Sequence, residues 1–283
     1  MSTRSGGLLE RALGALFIIP FGAGLLVWPY GTIPLTGILI LLAAREGAQI
    51  IGSISGGASA AWSAALLVGP MALFVIGDPL AAAIWWVLTL LSLVSVQLLR
   101  ALRMKRGSVA PIAQSLVGTL ATATWLSPLV ILPILGWLRE STPAPWITWL
   151  LAVVWSADTG AYLIGRRFGK RKLAPLISPR KSVEGLIGGL FTATLIGGLV
   201  AANWLSAPLI WALPASFAVA AAAEAGDLVE SMFKRAAGTK NSATLIPGHG
   251  GVLDRIDSLL LAAPVALLAA IALELSRTNP LGN

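Results

Sequence analysis

The feature that most constrains this chain is a succession of apolar runs, each close to the ~20 residues a helix needs to cross a bilayer. They fall at 12–28, 31–51, 59–76, 81–99, 112–138, 146–164, 186–204, 207–226 and 256–275. The expected fold is all-α, a polytopic transmembrane helix bundle of about nine spans. Pro34 interrupts the second run, which carries Arg45 and Glu46 near its end. The fifth run holds Pro128 and Pro133 and reads either as one kinked helix or as a helix followed by a re-entrant piece. The first begins near Arg11 without an evident small-residue cleavage site, so it reads as a retained helix. Residues 1–150 are expected to supply N-terminal helices and 151–283 a C-terminal catalytic region with cytoplasmic loops, in one integrated bundle.

Composition agrees with a bilayer setting. Only 11% of the 283 residues are charged, against roughly 25% in soluble domains. With no cysteine, the chain has no disulfide framework, thiol nucleophile or thiolate metal site. A net charge of +8 can signal nucleic acid, but no soluble basic domain carries it here, and an anionic lipid surface fits better. The arginines and lysines also orient the spans. With nine spans and an N-terminus inside, 18 of the 20 basic residues fall inside, and only Arg139 and Arg277 fall outside. That asymmetry is what the positive-inside rule requires. The basic flank at 100–111 reads as topogenic only, whereas 165–185 and 235–255 are richer in Gly, Pro, Ser and charge and read as walls of a site.

Three stretches concentrate polar chemistry at this inside face. The first is the run Trp155 to Tyr162, where Asp158 is a carboxylate within an apolar helix. It is either a helix-packing contact or a polar wall of a cavity. The second runs from Gly165 to Gly185. Ser178, Lys181 and Ser182, followed by a helix start near Glu184, would make an anion cradle; Glu184 is alternatively a helix-start residue that offsets the dipole. The third stretch spans Glu224 to Asp257. Glu224, Asp227, Ser231 and Lys234 are spaced by 3, 4 and 3 residues and so share a helix face, with small residues around them that let neighbouring helices approach. Gly238, Pro247, Gly248, Gly250 and Gly251 turn the chain, and Asp254, Arg255 and Asp257 open the next helix.

An antiparallel helix pair would bring Asp227 and Asp254 to one membrane level. Two facing carboxylates call for a cation, and Mg²⁺ takes oxygen ligands while sharing itself with phosphates. The other reading is a buried network in which Arg235 and Arg255 neutralise the acids. His249, the only histidine, sits among glycines that expose backbone N–H groups to a ligand, and reads as a phosphate contact or a structural residue.

The pattern S-x-x-K-R-x(4)-K from Ser231, then P-G-H-G-G-x-x-D-R-x-D from Pro247, resembles the signature of the phosphatidate cytidylyltransferases, also called CDP-diglyceride synthases. Asp158-Thr159-Gly160-Ala161-Tyr162, the Ser178–Gly185 run and Gly226-Asp227-Leu228-x-Glu230-Ser231 resemble further family runs. Two positions depart: Ser182 stands where the family has threonine, keeping the hydroxyl, and Asn241 stands where it has aspartate. The resemblance covers about 155–260. It implies transfer of a cytidylyl group from CTP to phosphatidate, giving CDP-diacylglycerol and diphosphate, in a bacterial cytoplasmic membrane with the site facing the cytoplasm. On that footing Asp227 and Asp254 are the expected Mg²⁺ ligands, with a second cation left open. Lys234, Arg235, Lys240, His249 and Asp257 join them as catalytic candidates. Asp158, Ser178, Lys181, Ser182, Glu184, Ser231, Gly250, Gly251 and Arg255 are the substrate-binding candidates. The partners implied are CTP, phosphatidate and membrane lipid, with no nucleic acid, in a homodimer. A related CTP-dependent transferase on another lipid phosphate is the near rival. A lipid or ion transporter is the distant one, and the charges lie in one half of the chain without the paired broken helices such a protein would show.

Overall fold

The computed structural model describes residues 32–75, 77–104, 107–138, 144–243 and 250–278. Its described helices are α1 (Thr32–Ser55), α2 (Ala60–Val75), α3 (Pro79–Arg103), α4 (Ala110–Leu126), α5 (Ile131–Trp137), α6 (Pro145–Phe168), α7 (Val183–Trp204), α8 (Leu209–Ala236) and α9 (Leu253–Thr278). A two-stranded antiparallel ribbon, β1 (Lys172–Ala174) and β2 (Ser178–Ser182), lies between α6 and α7. Among the described residues seven stretches are long and apolar enough to cross a membrane, so the chain is all-α and membrane-spanning in character. The run at 59–76 forms the shorter 16-residue α2, and the run at 12–28 lies outside the described residues. The fifth run is one interrupted helix: α4 passes through a single 3₁₀ turn at Ser127–Val130 into α5, with Pro128 at the start of that turn.

Helix ends follow local chemistry. Asp78 caps α3, accepting from the Ala81 N–H at 2.8 Å, and Pro79 fills the first helical position, where a missing N–H costs nothing. Ser182 caps α7 by accepting from the Gly185 N–H at 3.1 Å. Past α8, Gly238 adopts φ +71° and the Thr239 N–H returns to the Lys234 carbonyl at 2.8 Å, which stops the helix.

The described chain forms two compact units. Among the described residues, one takes in those from 32 to 133 together with Phe233–Ile256. Its interior is α1 to α4, centred on Leu66, Leu93 and Ala123 with Trp62, Leu90, Leu116 and Leu120 packed against them. Buried hydroxyls there are satisfied: Ser63 donates to the Thr119 carbonyl at 3.0 Å, and Thr119 accepts from the Ser59 N–H at 2.9 Å. The other unit takes in Ile134–Met232 and the residues from Asp257 onward. Its framework is the pair α6–α7, which meets along glycines. A Cβ on Gly189 would lie 2.7 Å from the Ala157 carbonyl oxygen, and one on Gly185 would lie 2.9 Å from the Ala161 carbonyl oxygen. Small residues are what allow helices to approach so closely in lipid. This pair holds Asp158 and the ribbon at one end of the unit.

Candidate active site

In the second unit the polar groups converge from α6, β2, α8 and α9. Lys181, from β2, places its ammonium 2.6 Å from Glu224 Oε2 and 2.8 Å from Asp227 Oδ2 on α8. Burial opposes the charge on Lys181, but Asp227 and Glu224 outweigh it and hold the group above the ordinary lysine value. The ammonium is therefore a fixed cation. Asp227 also accepts from the Ser231 hydroxyl at 3.2 Å, one turn along the same helix. Carboxylate oxygens of Asp227, Glu230 and Asp257 all lie within 4.8 Å of one another, with Glu230 buried and the other two half-buried. Gly226 is what lets α8 and α9 meet here: a Cβ on it would lie 2.7 Å from the Asp257 carbonyl oxygen. Three carboxylates so close repel one another in a poorly hydrated place unless positive charge joins them.

Beside this group lies a cavity of about 420 Å³. Asp158, Tyr162, Arg166, Arg180, Lys181 and Glu224 are among the residues that line it. A smaller cavity of about 140 Å³, among Trp146, Trp149 and Trp211, has no ionisable lining residue. Only the first offers the mixed cationic and anionic walls that a phosphorylated ligand with its counter-ion requires. The ribbon forms one wall and is tied down by Glu184, which accepts from the backbone N–H groups of Lys170 at 3.0 Å and Arg171 at 3.2 Å.

The first unit holds a separate polar cluster at the start of α9. Asp254 accepts from Lys234 Nζ at 2.6 Å, from the Gly251 N–H at 2.8 Å, and from the N–H and hydroxyl of Ser242, both at 3.0 Å. Glu46, on α1, accepts from the same Ser242 hydroxyl at 2.8 Å and from the N–H groups of Val252 at 2.9 Å and Leu253 at 2.8 Å. Gly250 turns the chain into this helix with φ +87°, a conformation that glycine adopts without steric cost.

A model of the cytidylyltransferase family matches residues 10–272 of this sequence. The chain belongs to the cytidylyltransferase family. Among curated members it is 51% identical to the phosphatidate cytidylyltransferase of Haemophilus influenzae over 124 residues, 42% of this chain and 43% of that one. It is 47% identical to the enzyme of that name from Brucella suis over 123 residues, covering 43% and 45% of the two chains. With the one from Pseudomonas aeruginosa the identity is 49% over 118 residues, covering 41% and 44%. Each match spans less than half the length of the relative concerned.

Within this member of the family the candidates chosen from sequence fall into several places. Asp227, Asp257, Ser231, Asp158 and Lys181 lie in the second unit, at or beside the acidic group and its cavity. Ser182 lines the cavity and caps α7, Ser178 is half-buried on β2 opposite Ala174, and the Glu184 carboxylate is engaged by the ribbon. Asp254 and Lys234 belong to the first unit, bonded to each other, with Gly251 donating to Asp254. Each of the two expected metal ligands has its own surroundings within its unit. The carboxylates that gather with Asp227 are Glu230, one turn along its own helix, and Asp257, while Asp254 is taken up by Lys234, Ser242 and Gly251. Arg235 donates to the Thr239 carbonyl at 3.2 Å, and Arg255 and Lys240 are exposed. His249 lies outside the described residues. Sequence reasoning assigned no role to Glu230 or Glu46. Glu230 stood inside a quoted motif, and Glu46 was a carboxylate in an apolar run, which is itself a signal.

Proposed function

We propose that this protein transfers a cytidylyl group from CTP to phosphatidate, forming CDP-diacylglycerol and releasing diphosphate. The observation that carries the reading is the gathering of Asp227, Glu230 and Asp257 beside Lys181 and a charged cavity, in a member of the cytidylyltransferase family. The three acids fit a divalent cation: their oxygens are close enough to share one ion, and hard oxygen ligands suit Mg²⁺. Asp227, Glu230 and Asp257 would hold it, and when bound it supplies positive charge to the triphosphate.

The phosphatidate oxygen is already ionised, so no general base has to remove a proton from it. The work left to the protein is alignment and neutralisation of charge as the oxygen attacks the α-phosphorus and diphosphate departs in line. Lys181 is held charged by Glu224 and Asp227 and faces the cavity, where it binds phosphate oxygens. Arg166 and Arg180 line the same cavity and receive the remaining negative charge. Asp158 and Tyr162 orient the ligand by hydrogen bonding. In the first unit Lys234 is a further cation for phosphate, which Asp254 keeps in one place. Lys240 and Arg235, basic and exposed, attract the anionic nucleotide to the protein.

The same reading places the chain in a bacterial cytoplasmic membrane with about nine spans, an inside N-terminus, the site facing the cytoplasm and a homodimeric assembly. A reporter fused after Asn283 is expected outside and one inserted at 107 inside, following the division of basic residues. Both reporters on one side would overturn the span count. The deciding experiment for function is the purified protein with labelled CTP and phosphatidate, with and without Mg²⁺. Formation of labelled CDP-diacylglycerol only in its presence is the expected result. Transfer to a different lipid phosphate in preference would move the protein to the related class of transferases.

A further inference from the structure

Glu46 is separated by about two hundred residues from the groups it touches, and it lies in the apolar helix α1 with 3% of its surface exposed. Buried carboxylates cost several kcal/mol unless hydrogen bonds satisfy them. Here each oxygen is satisfied. Oε1 accepts from the Val252 N–H, and Oε2 accepts from the Leu253 N–H and the Ser242 hydroxyl. The first N–H groups of a helix have no partner within the helix, and negative charge is favoured there. Glu46 therefore caps α9 from another helix, as an N-cap residue does from its own.

The cap does more than satisfy donors. Ser242 Oγ lies 2.8 Å from Glu46 Oε2 and 3.0 Å from Asp254 Oδ2, so the two carboxylates share its single proton. Asp254 in turn holds Lys234 at 2.6 Å. A Cβ on Gly251 would collide with both the Ser242 hydroxyl and the Glu46 carboxylate, so the chain is closed tightly around this point.

We infer that Glu46 is a positioning residue for the reaction. It fixes the start of α9, and through it the place and orientation of Asp254 and its partner Lys234. This rests on the cytidylyl-transfer reading above, and it gives the N-terminal helices a part in turnover. Glu46→Gln keeps the volume but turns one acceptor into a donor that faces an N–H or a hydroxyl.

Two measurements on the full chain test the inference. In nanodiscs, Glu46→Gln is expected to lower kcat at least about 10-fold while KM for CTP stays within about 2-fold, as for a group that acts through alignment and not through ground-state binding. Because the chain has no cysteine, spin labels can be placed on Gln49→Cys in α1 and Arg255→Cys in α9, both exposed positions of the first unit. The distance distribution between them should be narrow with Glu46 and broaden with Glu46→Gln. An unchanged kcat, or a distribution that stays as narrow, overturns the inference. If Glu46→Gln does not give a cooperatively melting protein, Glu46→Asp takes its place under the same two criteria, since it keeps the charge but withdraws it by one methylene. An unmodified protein that forms no CDP-diacylglycerol overturns the proposed function, and the distance measurement alone then decides whether Glu46 fixes the helix start.

Discussion

The two polar clusters use the same residue types and are built to different ends. Around Lys181 the side chains remain reachable: Lys181 and Asp227 keep 22% and 25% of their side-chain surface, and a cavity opens beside them. Around Lys234 they are sealed, with 10% and 8% left on Lys234 and Asp254 and a second carboxylate folded over the helix start. A lysine that shares two acids and faces an opening can exchange partners when a ligand arrives. A lysine enclosed beside an acid that also accepts from two backbone N–H groups and a hydroxyl maintains a shape. The first arrangement suits binding and the second suits alignment.

That contrast can be broken most directly at Asp227. Asp227→Asn is expected to lower cytidylyl transfer by on the order of 10³-fold, since it removes both a proposed cation ligand and a partner of Lys181. The melting temperature should hold or rise, because three crowded carboxylates become two. A second change at Asp257 should add far less than its own single effect, as both serve one ion. If the two losses multiply in full, the acids do not act as a unit.

Asp254→Asn should behave differently. Removing one partner of a buried ion pair costs on the order of 3 kcal/mol. The expected outcome is a drop in activity together with a clear drop in melting temperature, measured by intrinsic fluorescence in detergent. A protein as stable as the parent would show that the Lys234 cluster is as adaptable as the Lys181 cluster, and the distinction would fall.

Gly226→Ala tests the spacing on which the acidic group depends. Its methyl would enter a space 2.7 Å from the Asp257 carbonyl oxygen, so α8 and α9 must part by a fraction of an ångström. A loss of about 10-fold in activity is expected. It should come with a raised Mg²⁺ requirement in a rate titration, whereas a parental Mg²⁺ curve would mean that the helices accommodate the methyl elsewhere.

The smallest effect is expected at Asn241, where the family pattern has aspartate. Asn241 is exposed and precedes Ser242, which bonds both Glu46 and Asp254. Asn241→Asp should give a modest gain, about 2-fold, visible at limiting Mg²⁺, because a carboxylate adds attraction for a cation that an amide lacks. Superimposable titrations of rate against Mg²⁺ for the two forms would remove any metal-related role for this position.

Much of this was legible along the chain and some of it was not, for identifiable reasons. Length and hydropathy located most described helices to within a few residues, because a bilayer enforces both, whereas α8 runs on to Ala236, well past the apolar run at 207–226. The 3, 4, 3 spacing put Glu224, Asp227 and Ser231 on one face, and α8 presents Glu224 and Asp227 together to Lys181. The ribbon was hidden, since strands of three and five residues rich in Lys, Arg and Pro carry no alternation of apolar and polar positions. Glu46 was unreadable as a cap, since nothing local connects α1 to a helix start two hundred residues away.

The glycine seam between α6 and α7 has a thermal consequence. Helices in lipid gain nothing from expelling water between them, so what joins this pair is contact dispersion across a backbone-to-backbone approach. Cooling weakens attractions that depend on water, and it leaves dispersion largely intact. The pillar that carries Asp158 at one face and the ribbon at its end should therefore stay equally stiff in a chilled membrane, even where water-dependent packing elsewhere in the chain has begun to loosen.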